Sequence, residues 1–216
     1  MIDIVFPNKN EAKFIEKAEQ LDYSCLCFVY EYRKDLDVIK ELIKKEQKKT
    51  KVKLYFGLLV ETKQVSKARN VTDFVLAKST GDDQVVFEKL KPDMIYDLEL
   101  AAKKDKLNFR LSGLNQVLCK LAEKNKVIVG FSFSSILSSK NRSLILGRII
   151  QNIRFCRKYN VITSFSSFAK APFEMRATHD LISFLIVLGM HPKKARLSLK
   201  SVEDRIRLNY KKRLPE

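Results

Sequence analysis

The chain has 216 residues, 45% of them apolar, with mean hydropathy −0.20, net charge +17 and pI about 9.7. That length and apolar content suit one compact domain, and no run approaches the roughly 18 uncharged apolar residues that would span a bilayer. Two histidines, His179 and His191, are too few for a His-rich hydrolytic metal site, and cysteines at 25, 27, 119 and 156 lack metal-knuckle or redox-pair spacing.

The opening segment lacks the basic, apolar, then small order of a signal peptide, so a cytoplasmic protein is expected. Residues 2–6 read as a short strand, and 8–21 as a helix with Asn8 and Glu11 placed like a capping box. Strand 23–30 carries Cys25 and Cys27 on one face as free, buried thiols. Helix 35–48 follows, with Leu36, Ile39, Leu42 and Ile43 on one side. Then come strand 52–60, a short helix 64–70, strand 73–78, helix 82–90 and strand 93–98. Helix 112–124 has Leu114, Val117, Leu118 and Leu121 in register; strand 127–132, helix 141–159, strand 160–166 and helix 178–188 complete the series. Pro192 can open a short helix, and 201–214 is a further basic helix, so the chain ends in a basic helical tail from about residue 192.

About seven strand–helix units in succession, without a linker, predict a parallel sheet closed into a single TIM-like (β/α) barrel over residues 1–216. Function in such a fold gathers at the C-terminal ends of the strands. This brings together two Phe/Ser-rich, acid-poor loops, "FSFSSILSSKNR" after strand 127–132 and "SFSSFAKAPFEMRATHD" after strand 160–166.

Charge is distributed unevenly. Residues 1–102 hold 18 basic and 18 acidic side chains, whereas 103–216 hold 24 and 7; residues 124–173 contain nine basic residues and no carboxylate. A solubility surface would mix signs along the whole chain, so a one-sided positive half implies a polyanion, most simply nucleic acid. On helix 141–159, Ile145, Leu146, Ile149, Ile153 and Cys156 share one side, and Arg148, Arg154 and Lys158 are expected opposite them, exposed, with Arg157 on the flank. An all-basic face without acids four residues away gains nothing locally from its charge. Phosphate contact is the reading preferred over a plain wet face.

No catalytic constellation accompanies the charge. There is no Gly-x-x-x-x-Gly-Lys-Ser/Thr loop, and Ser167-Phe168-Ala169-Lys170 matches Ser-x-x-Lys without its companion elements. Asp82–Asp83 opens a helix, and Asp97 and Glu99 at the end of the fifth strand read as surface polarity. No catalytic and no metal-binding residues are therefore expected on the chain.

Over residues 127–200 the chain resembles archaeal ribonuclease P protein component 3, a family related to the thirty-kilodalton subunit of the eukaryotic enzyme. The resemblance rests on Gly130-Phe131-Ser132, on Ser166-Ser167-Phe168-Ala169, on Arg176 to Asp180, and on Gly189 after an apolar helix. Phe168 stands where a second small residue is usual, and Thr178 where proline is usual. The resemblance implies a barrel-like subunit of a holoenzyme that removes 5′ leaders from precursor tRNA. In that holoenzyme a catalytic RNA performs the hydrolysis with Mg²⁺. It further implies a ferredoxin-like partner subunit, in a heterodimer or heterotetramer, and indirect contact with precursor tRNA, with no cofactor on the chain and no membrane. The candidate RNA contacts are Ser132, Ser134, Lys140 and Arg142 in the first loop, and Arg148, Arg154 and Lys158 on the long helix. Ser166, Ser167, Lys170 and Arg176 complete them in the second loop, where Asp180 is expected to pair with and orient Arg176, beside His179. The rival reading is a stand-alone barrel phosphoesterase.

Overall fold

The computed structural model describes residues 1–32, 35–61 and 64–213. Among them seven strands run parallel, in sequence order: β1 (Ile2–Val5), β2 (Cys25–Glu31), β3 (Lys53–Leu59), β4 (Phe74–Lys78), β5 (Met94–Tyr96), β6 (Ile128–Ser132) and β7 (Thr163–Ser166). The helices are α1 (Glu11–Gln20), α2 (Leu36–Gln47), α3 (Val65–Arg69), α4 (Gln116–Asn125), α5 (Phe133–Ser138), α6 (Arg142–Lys158), α7 (Thr178–Val187), α8 (Pro192–Ser198) and α9 (Ser201–Arg213). Residue Leu214, at the end of the predicted last helix, lies outside the described residues.

The strands form a nearly closed TIM-like barrel, buried on both faces. In β2, Cys25, Cys27 and Val29 point into the barrel, while Leu26 and Phe28 pack outward under the helices. Two-sided burial is why these strands read as continuous apolar runs rather than alternating ones. All four cysteines are buried and unpaired.

Closure between β7 and β1 is made largely by a side chain. Outside the named strands, Val5 bridges Ala169, and the Phe6 N–H donates to the Ala169 carbonyl at 2.8 Å. Across the remaining seam, Asp3 accepts from the Ser167 N–H (2.7 Å) and hydroxyl (2.6 Å), and within its own strand it accepts from the Ile4 N–H (3.0 Å). Burial pushes the Asp3 carboxyl up to about 6, against the pull of these donors.

The segment from Pro192 is helical as expected, but it is built into the barrel rather than trailing from it. Val202 and Ile206 of α9 join the interior cluster and stop the barrel's N-terminal end. Arg205 donates to the Lys126 carbonyl, Asn209 reaches Asp93 (3.1 Å), and Tyr210 donates to Asp73 (2.7 Å). Asp73 and Asp93 stand just before β4 and β5, where each carboxylate takes a neighbouring strand's N–H.

Several local expectations are corrected. Helix α1 begins at Glu11, whose carboxylate accepts from the Tyr30 hydroxyl (2.9 Å), so Asn8 and Glu11 form no capping box. Helix α4 begins at Gln116, capped by Asn115, and Val117 is half exposed. The predicted helix 82–90 narrows to a π-helical turn at Val86–Leu90. Residues 133–138, read as loop, form α5. Among the described residues no helix is long and apolar enough to cross a membrane.

Candidate nucleic-acid interface

Because the strands follow sequence order round the barrel, the two halves of the sequence become two sides of the molecule. Helices α4 to α8, from the basic half, pack with β5–β7 in one core, and α1 to α3, from the neutral half, pack on β2–β4 in another. Most of the cationic excess thereby forms a wall, while α9 carries Arg205, Arg207, Lys211, Lys212 and Arg213 to the barrel's N-terminal end.

The two Phe/Ser-rich loops meet at the C-terminal end of β6 and β7, where the Ser134 N–H donates to the Ser167 carbonyl at 2.9 Å. The Ser132 hydroxyl accepts from the Ser135 N–H (3.1 Å) and caps α5. Phe133 packs edge-on to Phe165 and Phe184, at 6.3 and 5.6 Å between ring centres. The Arg176 guanidinium lies over the Phe133 ring at 5.5 Å, a cation–π contact that helps to hold the second loop.

Rings fill the side of the barrel mouth at the ends of β1, β5 and β7, and a cavity of about 600 Å³ lined by Glu31, Leu59, Glu61 and Lys78 opens at the ends of β2 to β4. Phe168 stacks on Tyr96 with ring centres 4.8 Å apart, and Phe6 closes on both at 6.0 and 6.3 Å. Phe168 holds a left-handed backbone (φ 50°), a strain of order 1–3 kcal/mol that the stack helps to offset. Beside it Asp97, also left-handed (φ 61°), accepts from the Ser135 hydroxyl (2.7 Å) and lies 3.4 Å from the Lys78 amine. Burial raises its carboxyl above the usual range, while Ser135, Lys78 and Lys170 oppose the shift. Asp97 and Glu99 are both buried, which corrects their reading as surface polarity. The Glu99 carboxylate meets no donor from another residue among the described residues, and burial pushes its carboxyl up to about 8 against the pull of its own backbone N–H.

Of the candidate contacts, Lys140, Arg142, Arg154, Lys158 and Lys170 are exposed, and Ser134 is half-buried. Arg142 folds back on the Leu137 carbonyl (2.8 Å). Ser132, Ser166 and Ser167 are buried, and Ser167 is committed to Asp3, so their hydroxyls lie away from the surface. Arg148, expected on the exposed side of the long helix, is fully buried. Its Nε donates to Asp105 (2.9 Å) and its Nη1 to the carbonyls of Glu99 (2.8 Å) and Ala102 (2.6 Å). Nη2 sits 2.8 Å from Asp105 as an ion-pair contact without hydrogen-bond alignment. The cause of the misplacement is the segment 101–112, which covers that flank of α6. The expected Arg176–Asp180 pair is also corrected. Arg176 precedes α7 and donates to the Phe173 and Met175 carbonyls (both 2.9 Å), while Asp180 pairs with the exposed His179 at 3.0 Å.

Residues 2–214 match the family model described as RNase P subunit p30. The chain belongs to the ribonuclease P subunit p30 family. Among curated relatives in the family, the ribonuclease P protein component 3 of Methanococcus maripaludis S2 is 31% identical over 142 residues, 62% of this chain and 59% of that protein. The protein of the same name from Methanosarcina acetivorans is 31% identical over 99 residues, 45% of this chain and 41% of that one. The chain thus spans less than two thirds of the length of the curated relatives it matches. A chain in a cryo-EM structure of archaeal ribonuclease P with mature tRNA shares the fold, with a TM-score of 0.83 at 22% identity, covering 97% of this chain and 91% of that chain. A zinc-, L-histidinol- and phosphate-bound histidinol phosphate phosphatase from Lactococcus lactis has TM-score 0.62 at 9% identity, over 88% of this chain and 94% of that one. Both likenesses concern the barrel itself. Phe168, the departure noted in the sequence, packs its ring on Tyr96 and Phe6 at the barrel mouth. Lys78 escaped sequence reasoning, and Asp97 was read as surface polarity, because lone polar residues at strand ends look like turn residues until Ser135 and Lys78 are seen to converge on Asp97.

Proposed function

We propose that the chain is a protein subunit of ribonuclease P, binding and stabilising the catalytic RNA so that the holoenzyme removes the 5′ leader of precursor tRNA. The observation that carries this reading is the cationic wall of exposed Lys140, Arg142, Arg154, Lys158 and Lys170, drawn from a stretch, 124–173, without a carboxylate. A polyanion suits the wall. The stack of Phe6, Tyr96 and Phe168 occupies part of the face where a barrel hydrolase would receive a substrate, which counts against a stand-alone phosphoesterase despite the fold it shares with a phosphatase. In addition, no three His, Cys, Asp or Glu side chains converge among the described residues.

In this reading the RNA performs the hydrolysis and carries the Mg²⁺, and the chain supplies positive charge and shape. Lys140, Arg142, Arg154, Lys158 and Lys170 address phosphates, with Ser134 and the ring-braced Arg176 at the junction of the two loops. The protein partner is a ferredoxin-like subunit in a heterodimer or heterotetramer, precursor tRNA is met indirectly, and the assembly works in the cytoplasm. Reconstitution tests it. The chain alone should leave precursor tRNA intact, and omitting it from a complete set of RNA and protein subunits should depress leader removal. Cleavage by the chain alone, or full activity without it, would overturn the proposal.

A further inference from the structure

Between Leu100 and Ser112 the chain adopts no regular structure, yet it is firmly tied to α6. The buried Arg148 holds the carbonyls of Glu99 and Ala102 and the carboxylate of Asp105. Asn152 donates to the Ser112 carbonyl (2.7 Å), Arg110 to the Gly147 carbonyl (2.9 Å), and the Leu111 N–H to Asp105 (2.8 Å). The Lys106 N–H donates to the Phe109 carbonyl (3.0 Å) and closes a turn at the tip. Burying an arginine is costly in desolvation, and here the guanidinium serves to fix a loop.

What that fixed loop holds outward is apolar. Leu107 is 101% exposed and Phe109 55% exposed, with the Lys106 amine 5.4 Å from the Phe109 ring centre. Lys103, Lys104, Lys106 and Arg110 are all exposed around them, and the one nearby acid, Asp105, is already paired with Arg148 and faces Arg110 at 3.8 Å. The loop leaves β5 for α4, so it opens at the same end of the barrel as the two Phe/Ser-rich loops, and it rests on the first half of α6, just beyond Arg142. A preorganised aromatic ringed by cations is the arrangement that stacks on a base while holding the adjoining backbone. A protein partner would also cover Leu107 and Phe109, but three exposed lysines with no free carboxylate beside them favour a polyanion.

We infer that Phe109 is a stacking platform for an unpaired RNA base, with Leu107 packed alongside and Lys103, Lys104 and Lys106 on the flanking phosphates. This rests on the reading that RNA is the chain's partner, and it names the element that recognises unpaired nucleotides. The test is fluorescence anisotropy of the full chain with a short labelled single-stranded RNA and a duplex of matched length, for wild type, Phe109→Ala, Phe109→Trp and Lys106→Ala. Phe109→Ala should weaken single-strand binding roughly 5- to 100-fold, the worth of one base–aromatic stack. It should leave duplex affinity and the salt slope unchanged, and Phe109→Trp should retain binding. Lys106→Ala should lower the single-strand salt slope by about 0.7. Unchanged single-strand affinity in Phe109→Ala, an equal loss on both RNAs, or a loss confined to capture of sister protein subunits would overturn the inference. A wild-type chain that binds neither RNA would defeat the RNA reading itself, and the stacking platform with it.

Discussion

Replacing Arg148 by methionine distinguishes a guanidinium that braces the fold from one that meets phosphate. Methionine fills most of the same volume but supplies no donor. The carbonyls of Glu99 and Ala102 and the Asp105 carboxylate, now met at 2.6–2.9 Å, would lose their partner. At about 1 kcal/mol for each acceptor left unmade, the loss is about 3 kcal/mol, with the Asp105 share limited because its side chain is 21% exposed. For a domain of this size that lowers the melting temperature by about 6–12 °C. Urea and thermal unfolding would measure it. RNA binding by the folded variant should keep the full salt slope, since no phosphate contact has been removed. An unchanged melting temperature together with a slope reduced by about 0.7–0.9 would place the guanidinium on phosphate and refute the structural assignment.

Glu99 makes stability depend on pH. In the folded protein its carboxyl keeps its proton up to about 8, whereas the unfolded chain releases it near the ordinary value of 4.5. Between those limits the folded state binds the extra proton, so stability falls as pH rises. Glu99→Gln should match wild type near the lower limit and exceed it by up to about 4 kcal/mol above the upper one; parallel urea midpoints across that range would contradict the buried, unpartnered carboxyl. Asp3→Ala strands the Ser167 N–H and hydroxyl and the Ile4 N–H at the seam. It should cost about 2–4 kcal/mol, with faster amide exchange at Phe6 and Ser167; slow exchange there would mean that the seam closes without the carboxylate. Gly113 has φ +83°, and an added Cβ would stand 2.1 Å from the Leu98 carbonyl oxygen. Gly113→Ala should therefore lose about 3 kcal/mol or more, read as a lower melting temperature, and a near-neutral result would contradict the loop conformation.

The strands were legible because each is buried on both faces, and two-sided burial writes itself as an unbroken apolar run such as 52–60. Their alternation with helices then leaves few topologies, and the charge split survives folding because the barrel keeps sequence order. What was illegible has a common cause in segments without a period. Residues 101–112 carry no helical or strand repeat, so nothing in them announced that they would cover α6 and bury Arg148. Once that flank is covered, the helical wheel misassigns the residue. Helix α5 is too short, with only Ile136 fully buried, to rise above a Ser-rich loop. Arg176 and Asp180 have the right spacing for a pair, but only if both are helical, and Arg176 lies before the helix starts. The plug of α9 was read as a tail because its own sequence is basic, with only Val202 and Ile206 to mark the buried stripe.

Ionic strength decides whether the cations of residues 103–216 neutralise RNA phosphate. For the wild-type chain, log affinity for ribonuclease P RNA against log salt should fall by about 0.7–0.9 for every phosphate engaged. Joint replacement of Lys140, Arg142, Arg154, Lys158 and Lys170 by alanine should remove up to about 4.5 from that slope, with the fold intact because all five side chains are exposed. A slope the same in both proteins would contradict the assignment of this wall to RNA.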